Sequence, residues 1–350
     1  MTVRQTTACS ALQSRELVIA LSVWQERFAK PRYDQFNYAY GDTGVVARYI
    51  GLLEAPGGLN GEWQHGVIVR ERNKNADWII GSDGLSQQRP HKRYYVARDD
   101  QVVALKAFGF TDVHAIGLPF AYVTPPLCDR VPNTLLAMPA HGLPESGSRI
   151  SSDYADFVAG QRQYFSDVVV CLHRTDHDCA DTRSLFEERG LVVVRGADPD
   201  DADAYDRLAS LFSYFDVVTG NEFGSHVAYA ALTGAKVSVA GPQTPFDRNY
   251  YLKLPYYRNC PAVLDFAEEL VVSRVLERTY PFLYADPKFA QPCKDWAADQ
   301  IGVGNRRSPE ELRRLFGWTH SQLSLQKWRD RIGGMWDCAW NPVKPPHRSN

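Results

Sequence analysis

Several familiar signatures are missing from this 350-residue chain, and each absence narrows what it does. No apolar run approaches the roughly 18 residues of a membrane-spanning helix. The Gly-rich GxGxxG fingerprint does not follow any strand-like segment, which lowers a dehydrogenase reading. Neither a GxxxxGK[ST] phosphate loop nor a GxSxG nucleophile elbow occurs, which argues against P-loop NTPases and α/β-hydrolases. Charge of one sign is not in excess: the net charge is −2 and the sequence pI about 6.5, so nucleic acid is not an expected partner. No CxxC pair occurs among the 7 cysteines, an odd number that suits reduced thiols and a cytoplasmic location. The N-terminus lacks the long apolar core of a secretory signal. Internal repeats and low-complexity tracts are absent too.

What is present is a soluble composition, 44% hydrophobic and 23% charged, at a length natural for two domains. The segment 215–242, FDVVTGNEFGSHVAYAALTGAKVSVAGP, organises the reading. DVVTG is a buried strand by its apolar run, NEFGS a turn, and HVAYAALT a helix for which Ser225 is the expected N-cap. Gly234 closes that helix, and KVSVAGP is the next strand. Strand, turn, helix and strand make one right-handed crossover whose turn offers free amides to an anion. The competing reading is an ordinary crossover with nothing bound.

Upstream, the pattern predicts strands at ELVIALSVWQ, GEWQHGVIV, ADWIIGSDG and DVHAIGLPF, with KRYYVAR leading into the second helix. Helices are expected after GDTG and over DDQVVALKAFGF, the second closed by Gly109. A Pro-marked connection places a domain boundary between Thr124 and Asn133. Beyond it TLLAMPAHG, DVVVCLH, LVVVRG and DVVTG alternate with helical segments, the pattern of a parallel sheet covered on both faces. Further on, Ser308 and Glu311 form a capping box ahead of LRRLFGW.

Chemistry-bearing residues cluster at strand ends, where ligands meet such sheets. His141 and Gly142 follow the strand ending near Met138. His173 and His177, with Asp176 and Asp178, superficially resemble a metal cluster, but four-residue spacing serves a metal on a helix and this segment reads as a turn. No metal is therefore expected. The central turn supplies Asn221, Glu222, Gly224, Ser225 and His226. Glu222 suits ribose hydroxyls, and Ser225 and His226 suit phosphate oxygens. In the first half Asp42, His65 and Asp83 each sit in or beside a Gly turn, where a proton-transfer group or nucleophile could project into a cleft. Asx residues in such turns otherwise serve local backbone bonds.

The unit DVVTGNEFGSHVAYAALTG, with WQHG, YYVAR, IGLPF, MPAHG, YPFLY and SPEELRRLFGW, resembles bacterial surface-polysaccharide glycosyltransferases of GT-B type. MPAHG is loosely similar to the His-Pro site by which bacterial sialyltransferases and Kdo transferases hold CMP; this chain has Pro-Ala-His instead. The resemblance spans most of residues 60–318. It implies an α/β protein of two Rossmann-like domains with parallel sheets facing across a cleft. Residues 1–128, completed by a helix at 320–350, would take the acceptor, and residues 129–319 the nucleotide-sugar. On this resemblance a sugar passes from a CMP- or UDP-activated donor to a glycan or lipid-linked acceptor, with Asp83, His65 or Asp42 as the catalytic group. His141, Gly142, His173, Asn221, Glu222, Gly224, Ser225 and His226 would hold the donor, which is a substrate; no cofactor is implied. Peripheral association with a membrane's inner face stays open. A sugar-nucleotide 2-epimerase of the same fold and a non-catalytic glycan-binding protein are the rival readings.

Overall fold

The computed structural model describes residues 42–52, 59–80, 90–125, 129–142, 149–196, 198, 201 and 203–318. The strand expected at 16–25, Asp83 and the tail beyond Trp318 lie outside the described residues. The protein is α/β, with sheets that are almost wholly parallel.

The first sheet is small. Its strands β1 (Glu62–Trp63), β2 (Arg93–Val96) and β3 (Asp112–Ala115) lie in the order β1-β2-β3, all parallel. Helices α1 (Asp42–Tyr49), α2 (Ala76–Ile80) and α3 (Asp99–Ala107) flank it in sequence. Two segments depart from the sequence pattern. GEWQHGVIV pairs only at Glu62–Trp63, with Gln64 N–H adding one bond of 2.8 Å to the Tyr95 carbonyl. ADWII is helix α2 rather than strand. Asn75 Oδ1 accepts from the Asp77 amide at 2.8 Å, and this Asx contact starts a turn before the β-branched residues can extend.

The second sheet has six strands in the order β6-β5-β4-β7-β8-β9. They are β4 (Val131–Ala137), β5 (Asp167–Leu172), β6 (Val192–Arg195), β7 (Phe215–Gly220), β8 (Lys236–Val239) and the antiparallel edge β9 (Gln291–Pro292). Counting its parallel strands in chain order gives 3-2-1-4-5, the order of nucleotide-binding doubly wound sheets. Continuous valine and leucine runs explain the burial on both faces: β5 is buried from Val168 to Leu172 and β7 from Val217 to Gly220. Helices α4 (Ser152–Gly160), α5 (Arg174–His177), α6 (Ala180–Glu187), α7 (Ala204–Tyr214) and α8 (Ser225–Leu232) supply the connections. In α8, Val227 to Ala231 are all buried, so the small side chains let this helix lie close against its neighbours. Gly234, at φ +96°, closes it as expected.

After β8 come α9 (Arg248–Leu252), α10 (Pro255–Asn259), α11 (Pro261–Val272), α12 (Val275–Thr279), α13 (Lys294–Ile301) and α14 (Pro309–Phe316). The capping box is present at α14, where the Ser308 hydroxyl accepts from Glu311 N–H and the Glu311 carboxylate from Ser308 N–H. The chain returns to the first sheet before residue 318. The Leu118 amide donates to the Ile301 carbonyl at 2.9 Å, Arg307 to the Ala115 carbonyl, and the Tyr95 hydroxyl to the Leu315 carbonyl at 2.7 Å. Phe316 packs between Trp63 and Tyr95 at ring distances of 5.3 and 5.0 Å. One hydrophobic cluster runs unbroken from Trp63 and Tyr95 of the first sheet to Val218, Ala228 and Val237 of the second. Among the described residues no helix is long and apolar enough to cross a membrane.

The return depends on a close backbone approach. Gly302 has φ +74°, and a Cβ there would run into the Ala97 carbonyl. Gly302→Ala should therefore destabilise the protein by about 2–4 kcal/mol, read as a lower urea midpoint at unchanged m-value.

Candidate functional site

In a doubly wound sheet the crevice opens where neighbouring strands send their connections to opposite faces. Here that point lies between β4 and β7. A cavity of about 330 Å³ opens there, lined by the residues following both strands and by the start of α8. Its volume is at the lower end of small-molecule sites.

Each wall has a sequence-level cause. Beyond β4, Pro139 to His141 form one side, and two buried polar groups pin that loop. Asn221 Oδ1 accepts from the Ala140 amide at 2.8 Å, and Asp176 Oδ2 accepts from the Gly142 amide at 3.1 Å. Asn221 and Gly142 thus hold the loop and are absent from the cavity lining, whereas His141 faces it. The His141 ring stacks on His173 at 4.2 Å. His173 caps α5, whose single turn occupies the segment read as a plain turn, and its Nδ1 accepts from the Thr175 amide at 3.3 Å. A neutral imidazole that accepts at Nδ1 carries its proton on Nε2. His177 points elsewhere, and among the described residues no three His, Cys, Asp or Glu side chains are arranged to hold a metal.

Beyond β7, the lining comprises Glu222, Phe223, Gly224, Ser225 and His226. The N-cap is Gly224, not Ser225, because the Ser225 hydroxyl is used across the fold: it accepts from the Val67 amide at 2.8 Å. Gly66 makes room for it, since a Cβ at Gly66 would stand 2.5 Å from Ser225 Oγ. This contact brings His65 and Gly66, in the loop after β1, into the cavity wall. The Ser225 hydroxyl keeps its hydrogen for donation. In the first turn of α8 the amides of Ser225 and His226 have no intrahelical acceptor, and the helix dipole adds a positive end. His226 Nε2 is buried with no hydrogen-bond partner, lying beside Gly220, where a Cβ would come within 2.7 Å of it.

Electrostatics divide the site sharply. Burial drives His173 down to about 3 and His226 to about 4, and lowers His65, with the neighbouring His141 adding to each shift. These three imidazoles are uncharged at neutral pH. The fixed cation is Arg149, which lines the cavity, pairs with Glu222 at 3.1 Å and lies over the Tyr250 ring at 4.9 Å. Arg149 was not among the residues the sequence singled out. Nor were Cys171, Tyr205, Leu208 and Tyr229, which line the floor.

No protein-family model and no curated protein matches this chain. Of the residues singled out in the sequence, His65, His141, His173, Glu222, Gly224, Ser225 and His226 meet in one cavity.

Asp42 does not line it. That residue opens α1, is 4% exposed, and approaches the hydroxyl of Tyr205, whose other side lines the cavity. Burial raises its carboxyl to about 8, so it is protonated at neutral pH. The native state therefore keeps a proton that the unfolded chain releases near pH 3.8, and stability is lost as pH rises through that interval to about 8. Asp42→Asn, which is neutral at every pH, should raise the melting temperature most at pH 8, by the equivalent of roughly 1–3 kcal/mol, and little at pH 4. The buried histidines act in the opposite sense, costing stability below pH 6.5. The ring proton resonances of His173 and His226 should stay flat between pH 8 and 5.

Proposed function

We propose that the protein is a glycosyltransferase of GT-B type that moves a sugar from a CMP- or UDP-activated donor to a glycan or lipid-linked acceptor. The observation that carries this reading is the concentration of hydrogen-bond donors at the strand-reversal crevice. The first-turn amides of α8, the Ser225 hydroxyl and Arg149 meet there, next to the unpartnered Nε2 of His226. Such a set suits the phosphates of a nucleotide. When the glycosidic bond to the phosphate breaks, negative charge develops on the leaving oxygen, and fixed dipoles lining the cavity stabilise it without reorganising. The pathway needs no charge beyond Arg149 and the helix end.

Glu222 stands at the edge of this donor set, 3.1 Å from Arg149, and its carboxylate is suited to accept from ribose hydroxyls. His141 and His173, stacked on the opposite wall, offer a face for the base or sugar. His65 belongs to the loop after β1 and is the ionisable side chain that the first sheet brings to the cavity. Because burial keeps it neutral, it can accept a proton from an attacking hydroxyl; this is the role we assign it. In this reading the acceptor enters from the side of the first sheet, and the two sheets form the halves of a GT-B enzyme.

Calorimetric titration with CMP and UDP tests the donor site, and product analysis with radiolabelled CMP- and UDP-sugars tests transfer. Binding of at least one nucleotide is expected, weakened about ten-fold or more by Arg149→Met. His65→Ala should lower kcat about 10²–10⁴-fold with the nucleotide affinity retained. A changed sugar without any acceptor would identify an epimerase instead. Glycan binding with no nucleotide affinity would leave a lectin-like protein.

A further inference from the structure

A second, smaller hollow of about 90 Å³ adjoins the main cavity and shares Arg149, Glu222 and Phe223 with it as a dividing wall. Its other walls include Arg72, Gln243, Thr244 and Tyr284. Arg72 comes from the 3-10 turn Arg70–Arg72 that follows the His65–Val69 loop. Its guanidinium lies over the Trp78 ring at 4.8 Å, and Trp78 is braced edge-on by Phe266 at 5.6 Å. Burial opposes its charge, while Tyr257, Tyr251, Tyr284 and Glu222 favour it through space. An arginine nevertheless stays protonated.

The charge balance of this hollow is unequal. Arg149 is matched by Glu222 at 3.1 Å, and Arg274 at the rim by Glu277 at 3.3 Å. Arg72 makes no ion pair with any described residue, and its Nε is buried without a hydrogen-bond partner. Neighbouring arginines spend their forks: Arg70 bonds Asp299, and Arg98 bonds Asp100 and backbone carbonyls. Arg72 is half-buried, and the one described carboxylate that favours its charge, Glu222, is already bonded to Arg149, so a further anion would complete it. Its place over the Trp78 ring restrains the fork, which favours binding of a planar or tetrahedral anion.

We propose that this hollow is a subsite for a second anionic group, a carboxylate or a phosphate, on the substrate whose nucleotide occupies the main cavity or on the acceptor that meets it. This rests on the glycosyl-transfer reading and specifies it: one of the two substrates is acidic beyond the nucleotide's own phosphates. The hollow is too small for a second nucleotide and has room for one charged substituent. Gln243, Thr244 and Tyr284 supply neutral polar groups at its wall. The shared divide lets one ligand reach both spaces.

The test uses the full chain and the variants Arg72→Met and Arg72→Lys. Titrations compare CMP and UDP with UDP-glucose, UDP-glucuronate and CMP-N-acetylneuraminate, then a glucuronate-terminated oligosaccharide in the presence of saturating nucleotide. The wild-type protein should bind an acidic ligand at least ten-fold more tightly than its neutral counterpart. Arg72→Met should abolish that difference, leave CMP and UDP unchanged, and melt close to wild type, since no ion pair is lost and the methionine keeps an apolar contact with Trp78. Arg72→Lys should retain part of the preference. A preference for acidic sugar nucleotides puts the anion on the donor, and one confined to the oligosaccharide puts it on the acceptor; both support the subsite. Free glucuronate and inorganic phosphate, titrated alone by tryptophan fluorescence, read the hollow even if no nucleotide binds, in which case only the main-cavity reading falls. If nucleotides bind but acidic and neutral ligands are equivalent and Arg72→Met changes none of them, the subsite is refuted. It is equally refuted if Arg72→Met unfolds at a markedly lower temperature with every affinity intact.

Discussion

Right-handed crossovers between parallel strands impose the constraint from which the rest of this molecule follows. From β4 the chain passes to β5 on one side, while the later return places β7 on the other. The connections after β4 and β7 therefore diverge, and no helix of the same layer can fill the space between their ends. A crevice is the geometric consequence of the strand order. What the sequence chooses is how to line it, and here the choice is a glycine-bounded turn, an alanine-rich helix and a set of histidines. A side chain at Gly220 would collide with His226, so the end of β7 and the start of α8 are matched to one another.

The lining mixes apolar side chains with directed polar groups and is sparsely charged. Packing several imidazoles into one buried space forces them neutral, because each charged form would lose hydration and meet its neighbours. Neutral histidines still donate and accept hydrogen bonds, so the cavity offers direction without a large net field. The positive character comes from Arg149 and the α8 dipole, with Arg72 on the far side of the Glu222 wall. This distribution suits a ligand whose charge is localised at one end and whose remainder is hydrogen-bonding, as a sugar is. Asp42 shows the opposite solution, a carboxyl held protonated behind Tyr205. Its seclusion from the cavity weighs against a part in proton transfer.

Much of the second sheet was legible because its strands are short apolar runs between helical periods, and burial on both faces demands just that pattern. The DVVTG strand, the α8 helix, Gly234 and the Ser308–Glu311 capping box follow from local rules that tertiary contacts do not disturb. The first sheet was harder to read. In ADWII the isoleucines argue for a strand, but Asn75 redirects the backbone, and a one-turn difference is decided by a single side-chain contact. In the site, residues next to Gly turns at strand ends were visible, since the ends of parallel strands are where such sheets open a crevice. Arg149 and Arg72 were not, for they lie in segments without a strand or a motif and reach the crevice only through packing on tyrosines and Trp78. Ser225 was noticed for the wrong bond: its position in sequence suggests a cap, while its partner, the Val67 amide, is 158 residues away.

That bond carries a consequence for how the two sheets cooperate. A serine whose hydroxyl accepts from a distant amide ties the mouth of the crevice to the loop after β1, and Gly66 is the residue that lets the loop come near enough. The same loop runs from His65 on the main cavity to Arg72 on the smaller hollow, through the buried Val67 and Val69. A ligand that draws the Ser225 hydroxyl toward a phosphate oxygen therefore pulls on the segment that carries both the proposed base and the unpaired guanidinium. Because Val67 and Val69 are packed in the shared core, the segment moves as a unit or not at all. The Ser225 bond is thus the point at which the start of α8 and the loop bearing His65 are joined.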